Sequence, residues 1–114
     1  MSLELEKSMR IINDLVSFCY YEGAEEFTMT LKHNANESTM MVVTACIENL
    51  DPRVLEKIRH VLSLPRQHEV EQNYWELSGE TEFSAELSLI GAMTDKVEVE
   101  YEGGVLQIRV WRDD

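Results

Sequence analysis

The side chains that could do acid–base, nucleophilic or metal chemistry here are three histidines, two cysteines and 22 acidic residues. Their spacing forms no catalytic set. His68, with Glu69 and Glu71, comes nearest to a metal-ligand group. It lacks the His-Glu-x-x-His spacing that would put two imidazoles on one helical face, so a surface histidine is the simpler reading; the other histidines are His33 and His60. Cys19 and Cys46 make no Cys-x-x-Cys pair, and no Gly-x-Ser-x-Gly elbow presents a nucleophilic serine. Carboxylates are so frequent that no pair of them stands out. No residue is therefore assigned a catalytic or metal-binding role. What remains is recognition. Tyr74 and Trp75 share a polar stretch with His68, and Tyr and Trp are favoured at protein interfaces. These three residues are the expected interaction surface.

Charge narrows the partners. Ten Lys+Arg against 22 Asp+Glu leave a formal charge of −12 in 114 residues. Such a surface repels phosphate backbones and anionic headgroups, which argues against nucleic acid and membrane surfaces; a basic protein surface is favoured. No apolar run approaches the ~18–20 residues of a membrane helix. The acidic, polar start, Met1-Ser2-Leu3-Glu4-Leu5-Glu6, is unlike a secretory signal. Cys19 and Cys46 each sit in an apolar stretch. Both are expected as small buried hydrophobes in a reducing cytoplasm, without a disulfide between them.

The elements that must position these residues follow from periodicity. Leu5, Met9, Ile12, Leu15, Val16 and Cys19 recur at helical spacing over 3–22, and Gly23 stands where a C-terminal cap belongs. Phe27, Met29 and Leu31 alternate with polar residues, which predicts a half-buried strand. After the polar cluster 34–38, Met40 to Ile47 runs almost continuously apolar and predicts a more fully covered strand paired with the first. Asp51-Pro52 opens a second helix carrying Val54, Leu55, Ile58, Val61 and Leu62. Residues 65–81 lose periodicity, and a loop of that length is commonly functional. Residues 82–94 fit a strand or a helix; the helix is preferred because Gly91 and Ala92 suit a close helix–sheet approach. Val97, Val99 and Tyr101, then Gly103-Gly104, then Val105, Ile108 and Val110 predict a closing hairpin. Its glutamates, Glu98, Glu100 and Glu102, are expected on a solvated face opposite Arg109 and Arg112. The predicted fold is a single α+β (α/β) two-layer domain over 1–114. Its mixed or antiparallel sheet is covered on one face by helices, in the order α-β-β-α-loop-α-β-β.

This order resembles the ATP-binding domain shared by sensor histidine kinases, anti-sigma-factor kinases and gyrase, the Bergerat fold. The resemblance spans about Leu5 to Arg112 and rests on element order, loop placement and local pattern. It implies an Asn-rich box on the first helix for Mg²⁺ and phosphates. It also implies an Asp-x-Gly-x-Gly turn after the second strand for adenine, a lid, and a Gly-rich turn before the third helix. Asn13 matches the earlier Asn of the box, whereas Ser17 stands where the metal-binding Asn belongs and lacks its amide oxygen. The turn Glu48-Asn49-Leu50-Asp51-Pro52 holds no glycine. Glu48 and Asp51 are the acids that could stand for the adenine-binding one, but Asp51 reads as a helix cap and Glu48 as a solvated strand end. Before the third helix, Gly79 is the remaining glycine, and Glu80, Glu82 and Glu86 crowd the place of the phosphates.

The resemblance therefore implies a scaffold without its nucleotide site, whose vestigial cofactor positions are Asn13, Ser17 and Glu48. The expected function is a non-catalytic interaction or regulatory module, of a bacterial regulatory kind by analogy. It would have no cofactor and an unidentified protein partner, with 66–78 as the contact surface and a homodimer through the exposed sheet face as the alternative. Two other readings stand beside it. One is a divergent ATPase or kinase rebuilding its site from Asn13, Asp14 and either Glu48 or Asp51. The other is a small-molecule sensor with Thr44 and Ser88 as polar residues inside apolar faces.

Overall fold

The computed structural model describes residues 3–33, 38–62, 90 and 93–113. Their elements run α1 (Leu3–Tyr21), β1 (Phe27–His33), β2 (Ser38–Cys46), α2 (Pro52–Leu62), β3 (Lys96–Glu102) and β4 (Val105–Asp113). The strands form one sheet in the order β1-β2-β4-β3, and every neighbouring pair is antiparallel. The fold is thus α+β, and among the described strands the sheet is antiparallel. The helix expected at 82–94 lies largely outside the described residues; Ile90 within it is helical and fully buried.

Pleating divides the sheet into two faces. On one, Met41, Val43 and Ala45 of β2 and Leu106, Ile108 and Val110 of β4 are buried. Val97, Val99 and Tyr101 of β3 and Phe27 and Leu31 of β1 flank them. The helices supply the other half of this core: Ile11, Ile12, Leu15, Phe18 and Cys19 from α1, Ile58 and Leu62 from α2. The buried stripe of α1 is rotated from the expected one. Ile11 and Phe18 are inside, whereas Met9 is 51% exposed. Ser8, Ile11, Ile12, Leu15, Phe18 and Cys19 form one stripe of about 100° per residue, and Met9 lies beside it rather than in it.

Local chemistry ends each element where the chain must turn. Gly23 adopts φ 98°, and the last turn of α1 closes with Ala24 N–H donating to Cys19 O at 3.0 Å and Gly23 N–H to Tyr20 O at 3.1 Å. This is a Schellman cap, and buried Ala24 and Cys19 are the apolar pair that accompanies it. Asp51 caps α2: its Oδ1 accepts Arg53 N–H at 2.9 Å, while Pro52 occupies the first helical position. The Arg53 side chain and backbone N–H both bond this carboxylate and hold it below the usual carboxylate range. Gly103 and Gly104, at φ 59° and 78°, form the two-residue turn that joins Glu102 to Val105 with the twist a hairpin needs.

Two expectations about polar residues are corrected by the alternation of β4. Arg112 is not on the glutamate face. It is 1% exposed on the covered side and donates to Met93 O at 2.9 Å. It continues the inward series 106, 108, 110 by two, so strand parity decided its side. The same parity puts Thr44 opposite Gln107 on the outer face, so it is not a polar residue within the covered one.

Candidate functional site

The turn after β2 is where the family resemblance implies an adenine-binding acid, and its geometry is set by three contacts. Ile47 N–H donates to Gly104 O at 2.8 Å. The Tyr101 hydroxyl donates to Ile47 O at 2.6 Å and accepts from Leu50 N–H at 3.2 Å. With Ile47 and Leu50 pinned to the β3–β4 hairpin and buried, the two residues between them, Glu48 and Asn49, face solvent. Asn49 takes φ 58°, the left-handed conformation that glycine usually supplies and that Asn tolerates best among the others. The turn therefore forms without the glycines the resemblance calls for. Asp51 is committed to the cap of α2 and to an ion pair with Arg53 at 3.0 Å.

Glu48 opens into a cavity of about 300 Å³ lined by Glu22, Gly23, Glu25, Glu26, Cys46 and Glu48. The antiparallel pairing of β1 with β2 creates it. Cys46 N–H donates to Glu26 O at 3.1 Å, so the segment leaving the cap of α1 lies against the end of β2. Carboxylates far apart in sequence thereby converge. Cys46 is exposed, contrary to the expectation that both thiols are buried, and its Sγ lies 3.7 Å from Glu26 Oε2. Cys19 is buried as expected; burial first, then the charge of Glu22, push its thiol up to about 12.

Asn13 and Ser17 are one turn apart on α1, Asn13 exposed and Ser17 half-buried, and neither lines this cavity. The structure thus groups Glu48 with the glutamates rather than with the helix positions that would hold metal and phosphate. Asp14 is half-buried beside Asn13. Tyr74, Trp75 and His68, and Ser88, lie outside the described residues. Among the described residues no group of three or more His, Cys, Asp or Glu side chains is placed to hold a metal ion. No described helix is long and apolar enough to cross a membrane.

The acidic cavity was missed in the sequence. Its signal was there in the run Glu22-Gly23-Ala24-Glu25-Glu26, three carboxylates around a glycine cap, but nothing local pointed to Glu48 as their neighbour. Its chemistry is one-sided. No cationic side chain is among its lining residues, and a phosphate oxygen about 4 Å from one carboxylate is opposed by on the order of 4 kcal/mol at an effective dielectric of 20. No protein-family model matches the chain, and no curated protein and no solved structure matches it.

Proposed function

We propose that the chain is a non-catalytic interaction or regulatory module on a histidine-kinase-type ATPase scaffold, one that does not hold ATP in the ordinary way. The observation that carries this reading is the company Glu48 keeps. Glu48, one of the two acids that the resemblance could set against adenine, opens into a pocket with Glu22, Glu25 and Glu26, and Asn13 and Ser17 are not part of it. A triphosphate entering there meets like charge on every lining carboxylate. In this reading the module acts by protein contact in the cytoplasm, where its two free thiols stay reduced. Its charge of −12 favours basic protein surfaces.

Thermal unfolding with and without millimolar MgATP tests the proposal. Ligand at 100 times its Kd adds about 2.7 kcal/mol of stability, which moves the Tm of a chain this size by about 10 °C. The expected result is no shift. A shift of that size that disappears in Asn13→Ala would instead show ATP binding at that position and favour a divergent ATPase or kinase.

A further inference from the structure

The two edges of the sheet are defended very differently. β3 carries Lys96, Glu98, Glu100 and Glu102 on alternate positions, a charged edge that discourages further pairing. β1 carries no charge and no proline from Phe27 to Leu31, only Phe-Thr-Met-Thr-Leu, of which Phe27, Thr28 and Thr30 are of types enriched in strands. Thr28, Met29 and Thr30 are exposed, Met29 by 53% although it points to the covered side of the sheet. Among the described residues β1 pairs with β2 alone.

The direction of its backbone groups can be read from one bond. Cys46 N–H donates to Glu26 O, so residue 26 directs its backbone toward β2. In an antiparallel ladder this alternates. Residues 28, 30 and 32 therefore also face β2, while the amides and carbonyls of Phe27, Met29, Leu31 and His33 point outward.

We infer that β1 is a self-association edge, pairing antiparallel with β1 of a second copy about a twofold axis through Met29 to join two four-stranded sheets into one. This register is self-complementary at each position. Met29 meets Met29 and Phe27 meets Leu31, extending the apolar row of the covered side, and these are the residues whose backbone groups point outward. Thr28 meets Thr30 and Glu26 meets Lys32 on the opposite side, at the close, non-hydrogen-bonded positions where cross-strand polar pairs interact most strongly. Shifting the axis by one residue, to Thr30, sets Thr28 against Lys32 and Phe27 against His33, which loses both matches. The charge of −12 does not forbid the contact. Two copies side by side have centres at least about 22 Å apart, the shortest extent of the chain. That exceeds the ~8 Å Debye length of physiological salt, so local charges govern. One shared ladder falls below the ~1,000 Å² of a stable interface, so the dimer is weak and concentration-dependent. This inference is independent of the nucleotide reading, and its failure leaves that reading untouched.

Sedimentation of the full chain from about 5 µM to 1 mM tests it. The expected result is a monomer–dimer equilibrium with a midpoint on the order of 100 µM. Glu26→Lys and Lys32→Glu each weaken it roughly tenfold by setting like charges opposite each other twice, and the double variant restores it. Met29→Pro removes an outward amide without touching the β2 ladder and abolishes the dimer, with circular dichroism and the melting curve reporting that the monomer is still folded. A chain that stays monomeric at 1 mM overturns the proposal. So does a dimer indifferent to the charge reversals, which would point to face-to-face packing instead.

Discussion

On its covered side β2 presents Thr39, Met41, Val43 and Ala45; on the other it presents Ser38, Met40, Val42 and Thr44. β4 does the same with Leu106, Ile108, Val110 and Arg112 against Val105, Gln107, Arg109 and Trp111. The two sides share backbone, register and hydrogen bonds, and differ only in what lies over them. Where α1 and α2 pack, apolar side chains are almost fully buried, and the polar exceptions find partners: Arg112 at Met93 O, and Thr39 at His33 Nδ1, 2.8 Å away. Where no described helix packs, side chains are half-exposed, and charges pair with one another. Arg109 reaches Glu100 at 2.7 Å and Glu98 at 3.6 Å, and Lys96 sits 4.9 Å over the Trp111 ring. The fold is carried by the first side. The second is held in place by it and is free to vary.

The two cysteines offer the largest contrast between these environments. Cys46 ends β2 on the outer side and is exposed, whereas Cys19 is fully buried on the sheet-facing side of α1. A thiol reagent at neutral pH should modify Cys46 at the rate of an accessible thiol. Cys19 should react only through unfolding, whose population of 10⁻³–10⁻⁶ makes it at least about a thousandfold slower. Mass spectrometry of a timed alkylation resolves the two. Equal rates would mean that the α1 packing opens readily. The raised value of Cys19 also has a signed consequence. The folded state holds the thiol neutral to about 12 while the unfolded chain ionises it near 9. This group's contribution to stability is therefore intact below that lower value and is lost as pH rises through the upper one. Cys19→Ala should remove that share of the alkaline destabilisation.

Next in size is a pair of truncations across one strand pairing. Ile108 faces Val43 inside the core, and Arg109, its neighbour, faces Val42 outside. Ile108→Ala should cost about 3 kcal/mol in urea unfolding, within the range for buried aliphatic truncations. Val42→Ala, on the half-exposed side, should cost less than about 1 kcal/mol. Comparable losses would show that the outer side is also packed in solution and that the two sides do not differ in burial.

Much of this division was legible in the residues. Period-two alternation placed β1 and the closing hairpin, a continuous apolar run placed β2, and Gly23 and Asp51-Pro52 marked helix ends that the structure closes with a Schellman cap and a side-chain cap. What escaped were cases where two physical rules compete. Arg112 reads as a surface cation by type, but strand parity takes it inward. Cys46 reads as a buried residue by its apolar neighbours, but the same parity takes it outward. Met9 and Ile11 are both apolar, and only packing against β2 selects which one enters the core. The turn at Asn49 formed without glycine, because the clasp by Tyr101 and Gly104 fixes its flanks and Asn accepts positive φ. Of the candidate site, Glu48 was named from its position after β2. The gathering of Glu22, Glu25 and Glu26 around it needed the register of β1 on β2, which no local pattern encodes.

The smallest expected effect sits on the outer side, and it separates charge from packing there. Arg109 is 31% exposed and bonds two glutamates from β3, of which Glu100 is 64% exposed. Exposed pairs of this kind are worth about 0.2–1 kcal/mol, and salt screens them. Glu100→Gln should therefore lower stability by less than about 0.5 kcal/mol, and that loss should vanish in 1 M NaCl. Arg109→Ala should cost more than Glu100→Gln and keep most of its cost in salt, because Arg109 is half-buried opposite Val42 in the strand register and the substitution also removes its aliphatic stem. If both losses disappeared together in salt, the outer side would be electrostatic alone. If neither did, its half-buried residues would form a second packed layer, and the contrast between the two sides would shrink to one of degree.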